Sequence, residues 1–444
     1  MNESALRSAD IVVTGATVLP FDDDWSVLED CDVVICEDKI VECGSDVARG
    51  WSSSLVIDGR DLLLTPGLCN GHTHSPETLA RGRADCSTLI GWLESVWSEM
   101  DQLDDESVRL GILLGAAEML HGGVTSVVDH FRQTPMLRPS VDAAASAWLE
   151  TGMRATLALM VRDRQLPTWV SNMTSCKEQI DLLQQCTNCW HGSEGRLHVS
   201  VGPSAPTRCT DNLLRTAGTL CADNGIGLHM HVDETRDEVE LAHTLYGAST
   251  IQHLGVLGLL GPHLSLAHCV WCSDHDLDLL ASSGTAVVHN PVSNMRLGSG
   301  RAPIERMRKR GIDVAIGTDG AASNDSQSVL EAIKFAALMP RLVVDNPGDW
   351  ITATDSLSMA TVDAGRIFAM SEGRLAPGCR ADIAAFELAS LPFVPANDLH
   401  CQLAFGGATL RARHVIIAGR MILRDHAVQT FNETDVVAKA CRKR

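Results

Sequence analysis

The chain has 444 residues, 45% of them hydrophobic and 21% charged, with a formal net charge of −20. This suits a globular protein larger than one small domain, and the negative charge repels a phosphate backbone and so excludes nucleic acid as a natural partner. No run approaches the ~18 apolar residues of a membrane span, and "MNESALRSAD" lacks the basic and apolar regions of a secretory leader.

A cytoplasmic location is therefore expected, and the cysteines agree. Fifteen of them, an odd count, fit reduced thiols better than a disulfide framework. Two isolated C-x-x-C pairs, Cys186/Cys189 and Cys269/Cys272, have no second pair at zinc-finger spacing and read as buried or incidental thiols.

Residues 1–64 read as short strands and turns: "DIVVTGATVLPFDD", "DVVICEDKIVECG" and "SSLVIDGRDLLLTPG". Residues 376–444 repeat the style in "GCRADIAAFEL" and "ARHVIIAGRMIL". The two ends are expected to meet in one small β-sandwich.

Between them, residues 65–375 alternate apolar strands with helical stretches. The strands are "LTPGLCNGHTH", "VTSVVDH", "MRATLALM", "RLHVSVGPSAP", "IGLHMHV", "LSLAHCV", "TAVVHNP" and "IDVAIGTDG". Helical stretches such as "VRLGILLGAAEMLHGG", closing on Gly, separate them. Eight parallel strands with intervening helices predict an α/β fold, a (β/α)8 barrel whose active site lies at the strands' C-terminal ends.

Histidines and one aspartate then gather at that mouth. His72 and His74 end the first strand, His229 and His231 the fifth, His268 the sixth and His289 the seventh, while Asp319 ends the eighth. One such His would read as a satisfied core residue, but this many together predict a metal centre. The two-residue pleat turns His72 and His74 to the same, luminal face. A third His from the fifth strand and Asp319 complete an N/O donor set suited to one divalent ion per chain, zinc first or iron of similar charge. A water held by such an ion is acidified toward neutrality. Asp319 can bind the ion and accept a hydrogen bond from that water, and His268 can orient the water and share its proton. Glu234, three residues past His231, has two readings: a carboxylate opening the helix of "DETRDEVE", or a proton shuttle over the substrate. The neighbouring histidines favour the shuttle.

These motifs resemble the amidohydrolase superfamily, in its mononuclear deaminase and chlorohydrolase branch. "TPGLCNGHTH", "HVDET", "LAHCVW", "HNPVSNMRLGSG", "GTDGAASND" and "GRLAPGCRADI" carry the resemblance, which covers nearly the whole chain. It implies His72, His74, His231 and Asp319 as metal ligands, and Glu234, His268 and Asp319 as catalytic residues, leaving His229 as a neighbour one layer deeper. Dinuclear relatives carry a bridging Lys at the end of the fourth strand; "GPSAPT" has none, so one metal is implied.

Two departures bear on substrate. Where adenosine-type relatives place a His and a Tyr after the fourth strand, this chain has Ser204 and Thr207. The sugar-binding Glu of those relatives has only Glu99 and Asp101 as nearby counterparts. Ser204, His289, Asn290, Trp92 and Trp97 are the expected substrate contacts, the two Trp either stacking on a flat ring or filling a helix core. The expected activity is hydrolytic release of ammonia from an amino-substituted N-heterocycle, a nucleobase, nucleoside or triazine-like small molecule. The alternative is release of chloride or an alkylamine by the same site, and a homo-oligomer is expected.

Overall fold

The computed structural model describes residues 6–85, 87–132, 137–165 and 173–443. Five strands come from the N-terminal segment: β1 (Arg7–Val18), β2 (Leu28–Cys36), β3 (Lys39–Gly44), β4 (Trp51–Asp58) and β5 (Leu62–Pro66). Eight follow: β6 (Leu68–Thr73), β7 (Val124–Phe131), β8 (Arg154–Val161), β9 (Leu197–Pro203), β10 (Leu228–Val232), β11 (Leu264–His268), β12 (Ala286–His289) and β13 (Val314–Ile316). The last four are β14 (Ile383–Glu387), β15 (His414–Ile417), β16 (Arg420–Arg424) and β17 (Ala427–Val428).

Among the described residues, β6 to β13 form one parallel sheet in strict chain order, with helices between consecutive strands. The first and last strands meet where the Asp319 N–H donates to the His72 carbonyl at 2.9 Å. This is the (β/α)8 barrel. The strands are almost wholly buried, with only Thr156 of β8 and His198 of β9 partly exposed, because helices cover the outside and side chains fill the inside. No described helix is long and apolar enough to cross a membrane.

The two chain ends build the second sheet, ordered β17-β16-β15-β14-β5-β1-β2-β3, with β4 also pairing to β1. The pairing is mixed: β1 runs antiparallel to β2 but parallel to β4 and β5. Termini join where β14 lies antiparallel to β5, with Ala385 opposite Leu64. The pleat of β5 divides its side chains between two cores. Leu62 and Leu64 pack with Ile11, Val33 and Ile383 inside the terminal sheet, whereas Leu63 joins the barrel core.

The stretch "LTPGLCNGHTH", expected as one barrel strand, is divided at Gly67 between β5 and β6. The Gly67 N–H donates to the Asp382 carbonyl at 2.9 Å, and a Cβ at Gly67 would stand 2.1 Å from Thr125 Cγ2. The chain can leave one sheet for the other there only without a side chain. A buried ion pair ties the same junction: Arg154 Nε and Nη2 donate to Asp382 at 2.7 and 3.1 Å. Asp382 also accepts the Ala418 N–H at 2.8 Å.

Over the mouth of the barrel lies helix α1 (Leu89–Met100). Its buried residues Leu89, Trp92, Leu93, Val96, Trp97 and Met100 follow the helical period and pack on Leu297 and Ala322.

Candidate functional site

His72 lies in β6 and His74 just beyond it, while His231 lies in β10 and Asp319 follows β13. The structure brings these four together. His72 Nε2 and His74 Nε2 each stand 3.3 Å from Asp319 Oδ1, and His74 Nε2 stands 3.1 Å from His231 Nε2. Hydrogen bonds on the far side of each ring set the tautomers. His74 Nδ1 faces the His130 carbonyl at 2.7 Å and His231 Nδ1 the Ser204 carbonyl at 2.5 Å. A carbonyl only accepts, so each Nδ1 carries the proton and each Nε2 turns its lone pair inward. Those lone pairs converge with Asp319 Oδ1, which also accepts the Gly320 N–H at 2.8 Å, and among the described residues the buried His72 Nε2 has no hydrogen-bond partner. Such a set repels itself unless a positive charge lies among its members, and its N/O chemistry fits a divalent ion. Two overlapping groups here could hold a metal ion, His72, His74, His130 and His231, and His72, His268 and Asp319.

The carboxylates favour positive charge at this point: burial disfavours a charged His74, yet Glu77 and Asp319 outweigh it and raise the imidazole to about 9, so without an ion among these groups a proton on His74 Nε2 takes its place. Burial also opposes ionisation of Asp319, but the His72 and His74 imidazoles beside it hold the carboxyl well below the usual carboxylate range. Ser293 and Ser323 hydroxyls donate to Asp319 Oδ2 at 2.6 and 3.0 Å, and this fixes Oδ1 toward the imidazoles. Asp319 and His268 both take left-handed backbone, at φ 64 and 75, a strain of ~1–3 kcal/mol each that is typical of working sites.

His229 lies one layer below. Its Nε2 stands 2.7 Å from His72 Nδ1 and its Nδ1 stands 2.7 Å from Ser265 Oγ. With the His72 lone pair turned to the cluster, the protons run one way: His72 donates to His229, and His229 donates to Ser265. His229 thus braces His72 from beneath.

Glu234 and His268 complete the upper rim. His268 Nδ1 meets Asn294 Oδ1 at 2.8 Å, and His268 Nε2 stands 3.7 Å from Glu234 Oε2. Glu234 is only 3% exposed, and burial raises its carboxyl to about 7, against the pull of His268. The following helix begins at Arg236, with Thr235 as its cap and Asp237 and Glu238 in its first turn. Glu234 therefore stands outside the helix, and its two neighbours take the helix-opening position.

Glu234, His268, His74, His231 and Asp319 line one cavity with Trp92 and Trp97 from α1. Trp92 also donates its indole N–H to the Ala322 carbonyl at 3.1 Å. Ser204, His289 and Asn290, expected as substrate contacts, are not among the lining residues. The carbonyl of Ser204 is spent on His231, and its hydroxyl stands 3.5 Å from the Arg208 guanidinium. His289 and Asn290 are buried to 1% and 0% exposure, below the rim. Of the two acidic candidates near α1, Asp101 accepts from Arg132 at 2.6 Å, whereas Glu99 pairs outward with Arg83 at 2.7 Å.

Sequence reasoning missed several neighbours. His130, at the end of the quoted "VTSVVDH", joins His72, His74 and His231 in a group whose ligand-capable atoms all lie within 4.8 Å of one another. Glu77 and Arg208 line the cavity, and Arg132 lies 4.2 Å from the Trp97 ring centre. The spacing H-T-H-S-P-E, which places a carboxylate three residues after His74, was the signal available for Glu77.

Residues 63–422 match the profile of the Amidohydrolase family. The chain is 34% identical over 434 residues to a 5'-deoxyadenosine deaminase of Methanosarcina mazei, covering 97% of each protein. It is similar in structure to an adenosine deaminase from Xanthomonas campestris with bound zinc, at a TM-score of 0.91 and 27% identity, covering 99% of this chain and 98% of that one. An atrazine chlorohydrolase from Arthrobacter aurescens, complexed with zinc, also gives a TM-score of 0.91 at 27% identity, covering 97% and 99%.

Proposed function

The chain belongs to the amidohydrolase family, and from that membership we infer a metal-dependent hydrolytic deaminase that releases ammonia from an amino-substituted N-heterocycle. The observation that carries this reading is Glu234, a buried carboxyl raised to about 7 that faces His268 beside the imidazole cluster. His72, His74, His231 and Asp319 would hold the ion, and zinc is the ion proposed, since it is bound in the Xanthomonas deaminase. When bound, such an ion supplies a hydroxide equivalent at neutral pH.

The chain's own groups then manage protons. Asn294 accepts the Nδ1 proton of His268, so His268 Nε2 presents a lone pair that accepts one hydrogen of the attacking water. Glu234 takes a proton from that water and delivers it to the ring nitrogen beside the amine-bearing carbon, as the new C–O bond makes that carbon tetrahedral. A second proton passes from the new hydroxyl through Glu234 to the amine. The C–N bond breaks, ammonia leaves and a ring carbonyl remains. A carboxyl balanced near neutrality suits both directions of transfer.

Amino-purines and their nucleosides come first among the rings, following the names of the Methanosarcina and Xanthomonas proteins. The test is ammonia release by the zinc-loaded protein on a panel of amino-purines, their nucleosides and amino-triazines. Chloride or alkylamine release without ammonia would overturn the reading in favour of the chlorohydrolase type.

A further inference from the structure

Glu77 is a carboxylate that the chemistry above does not use. It lies on the short turn Ser75–Ala80 directly after the first ligand strand, only 3% exposed, and lines the same cavity as Glu234 and His268. Among the described residues its side chain makes no hydrogen bond, and its buried Oε2 is without a partner. An ionised carboxylate only accepts hydrogen bonds, and leaving one desolvated and unmet is costly.

The position is built. The Ser75 N–H and hydroxyl both donate to the buried Asp129, at 3.0 and 2.5 Å, and Asp129 is itself held by the Trp148 indole N–H at 2.9 Å. The turn that carries Glu77 is thereby pinned. The carboxylate lies against the α-carbon of Gly320, the residue after the ligand Asp319. A Cβ on Gly320 would come within 1.8 Å of Glu77 Oε2, so room for this carboxylate depends on glycine there.

We propose that Glu77 is a specificity residue that accepts a hydrogen bond from a second N–H donor on the substrate ring, beyond the amine that leaves. The inference rests on the deaminase reading and narrows its substrate class. The preferred ring is a diamino or amino–imino heterocycle, whose extra amine or ring N–H meets the carboxylate. A ring that offers only acceptors on that edge leaves Glu77 unmet and is disfavoured.

The test compares two nucleosides that differ by one amine, 2,6-diaminopurine riboside and adenosine. Binding to the zinc-loaded protein is read by quenching of Trp92 and Trp97, in parallel with ammonia release. The wild-type protein is expected to bind the diamino compound about tenfold or more tightly, the scale of a hydrogen bond to a charged acceptor. Glu77→Met should erase the preference, with adenosine affinity and zinc content read in the same samples as the reference. Glu77→Gln, which keeps one acceptor oxygen and the side-chain volume, should retain part of it. Equal affinities in the wild-type protein overturn the inference whether or not ammonia appears. So does a preference that survives in Glu77→Met, or loss of zinc from both variants with discrimination unchanged, which would make Glu77 a support of the metal cluster. A preference lost in Glu77→Met without ammonia from either compound supports the assignment of Glu77 and overturns the deaminase reading instead.

Discussion

Replacing Glu234 with Gln is the sharpest test of the proposed chemistry, because it removes the exchangeable proton and little else. The amide has the volume of the carboxyl and can still meet the Ser299 hydroxyl, 3.3 Å from Oε1 in the wild-type chain. Packing and zinc content should be unchanged. Loss of a positioned acid–base group typically costs 10²–10⁴-fold in rate, which at about 1.4 kcal/mol per decade is ~3–5 kcal/mol of transition-state stabilisation. KM should move by less than about threefold, since the missing interaction belongs to the proton transfers. The pH profile gives an independent readout. Burial raises the Glu234 carboxyl to about 7, so on acidification below about pH 7 it is already protonated and cannot take the proton of water. The acid limb of kcat/KM should therefore fall near pH 7, not near the ordinary carboxyl value, and should vanish in the Gln variant. Ammonia release by a coupled assay, with zinc counted in each sample, measures both. A zinc-bound Glu234→Gln protein within tenfold of wild type, or one that keeps the same acid limb, would refute the shuttle.

Asn294→Leu removes the acceptor that holds the His268 Nδ1 proton, and kcat should fall about 10–100-fold with zinc retained; unchanged kcat would separate His268 from proton handling. His229→Phe deletes the brace beneath His72, and zinc affinity should weaken about 10–100-fold in a chelator competition. Removing the ion from the wild-type protein should abolish ammonia release and lower the melting temperature, both restored by zinc; binding at a thousandfold over Kd is worth about 4 kcal/mol. Arg154→Met strands the buried Asp382 carboxylate at the junction of the two sheets. It should cost about 3–5 kcal/mol in denaturant unfolding, and a loss under 1 kcal/mol would deny the pair its structural role.

The fold was legible because the strand–helix alternation runs through the whole middle of the chain and because His and Asp are costly to bury without purpose. Strand order, the joining of the termini and the convergence of His72, His74, His231 and Asp319 all follow from pattern. The break at Gly67 did not show, since "LTPGLCNG" is apolar on both sides of the sheet change and only Thr125, distant in sequence, forces the turn. The surroundings of the expected substrate contacts were the least legible. Ser204 stands at the expected strand end, yet its carbonyl orients His231 while its hydroxyl faces Arg208. His289 and Asn290 are buried to 1% and 0% exposure. Glu77 reads in sequence as an ordinary acid opening a turn after Pro, and only the position of Gly320 reveals where its carboxylate goes.

The two His-x-His pairs show where sequence pattern stops and three-dimensional depth takes over. In "HTH" and in "HMH" the pleat turns both rings to the lumen, so periodicity alone makes His72 and His74 equivalent, and likewise His229 and His231. Depth separates them. His74 and His231 stand in the upper layer with Nε2 atoms facing and each Nδ1 proton given to a carbonyl. His72 and His229 form the lower layer, and only His72 reaches up, through Nε2, to Asp319. The lower His229 has both nitrogens engaged, one with His72 and one with Ser265, so it has no lone pair left for an ion. In the proposed ligand set, Ser265 on the adjacent strand therefore helps decide that "HMH" would give one ligand where "HTH" would give two. Exchanging that serine for an apolar residue would free the His229 Nδ1 proton and, through His229, loosen the orientation of His72 beneath the cluster.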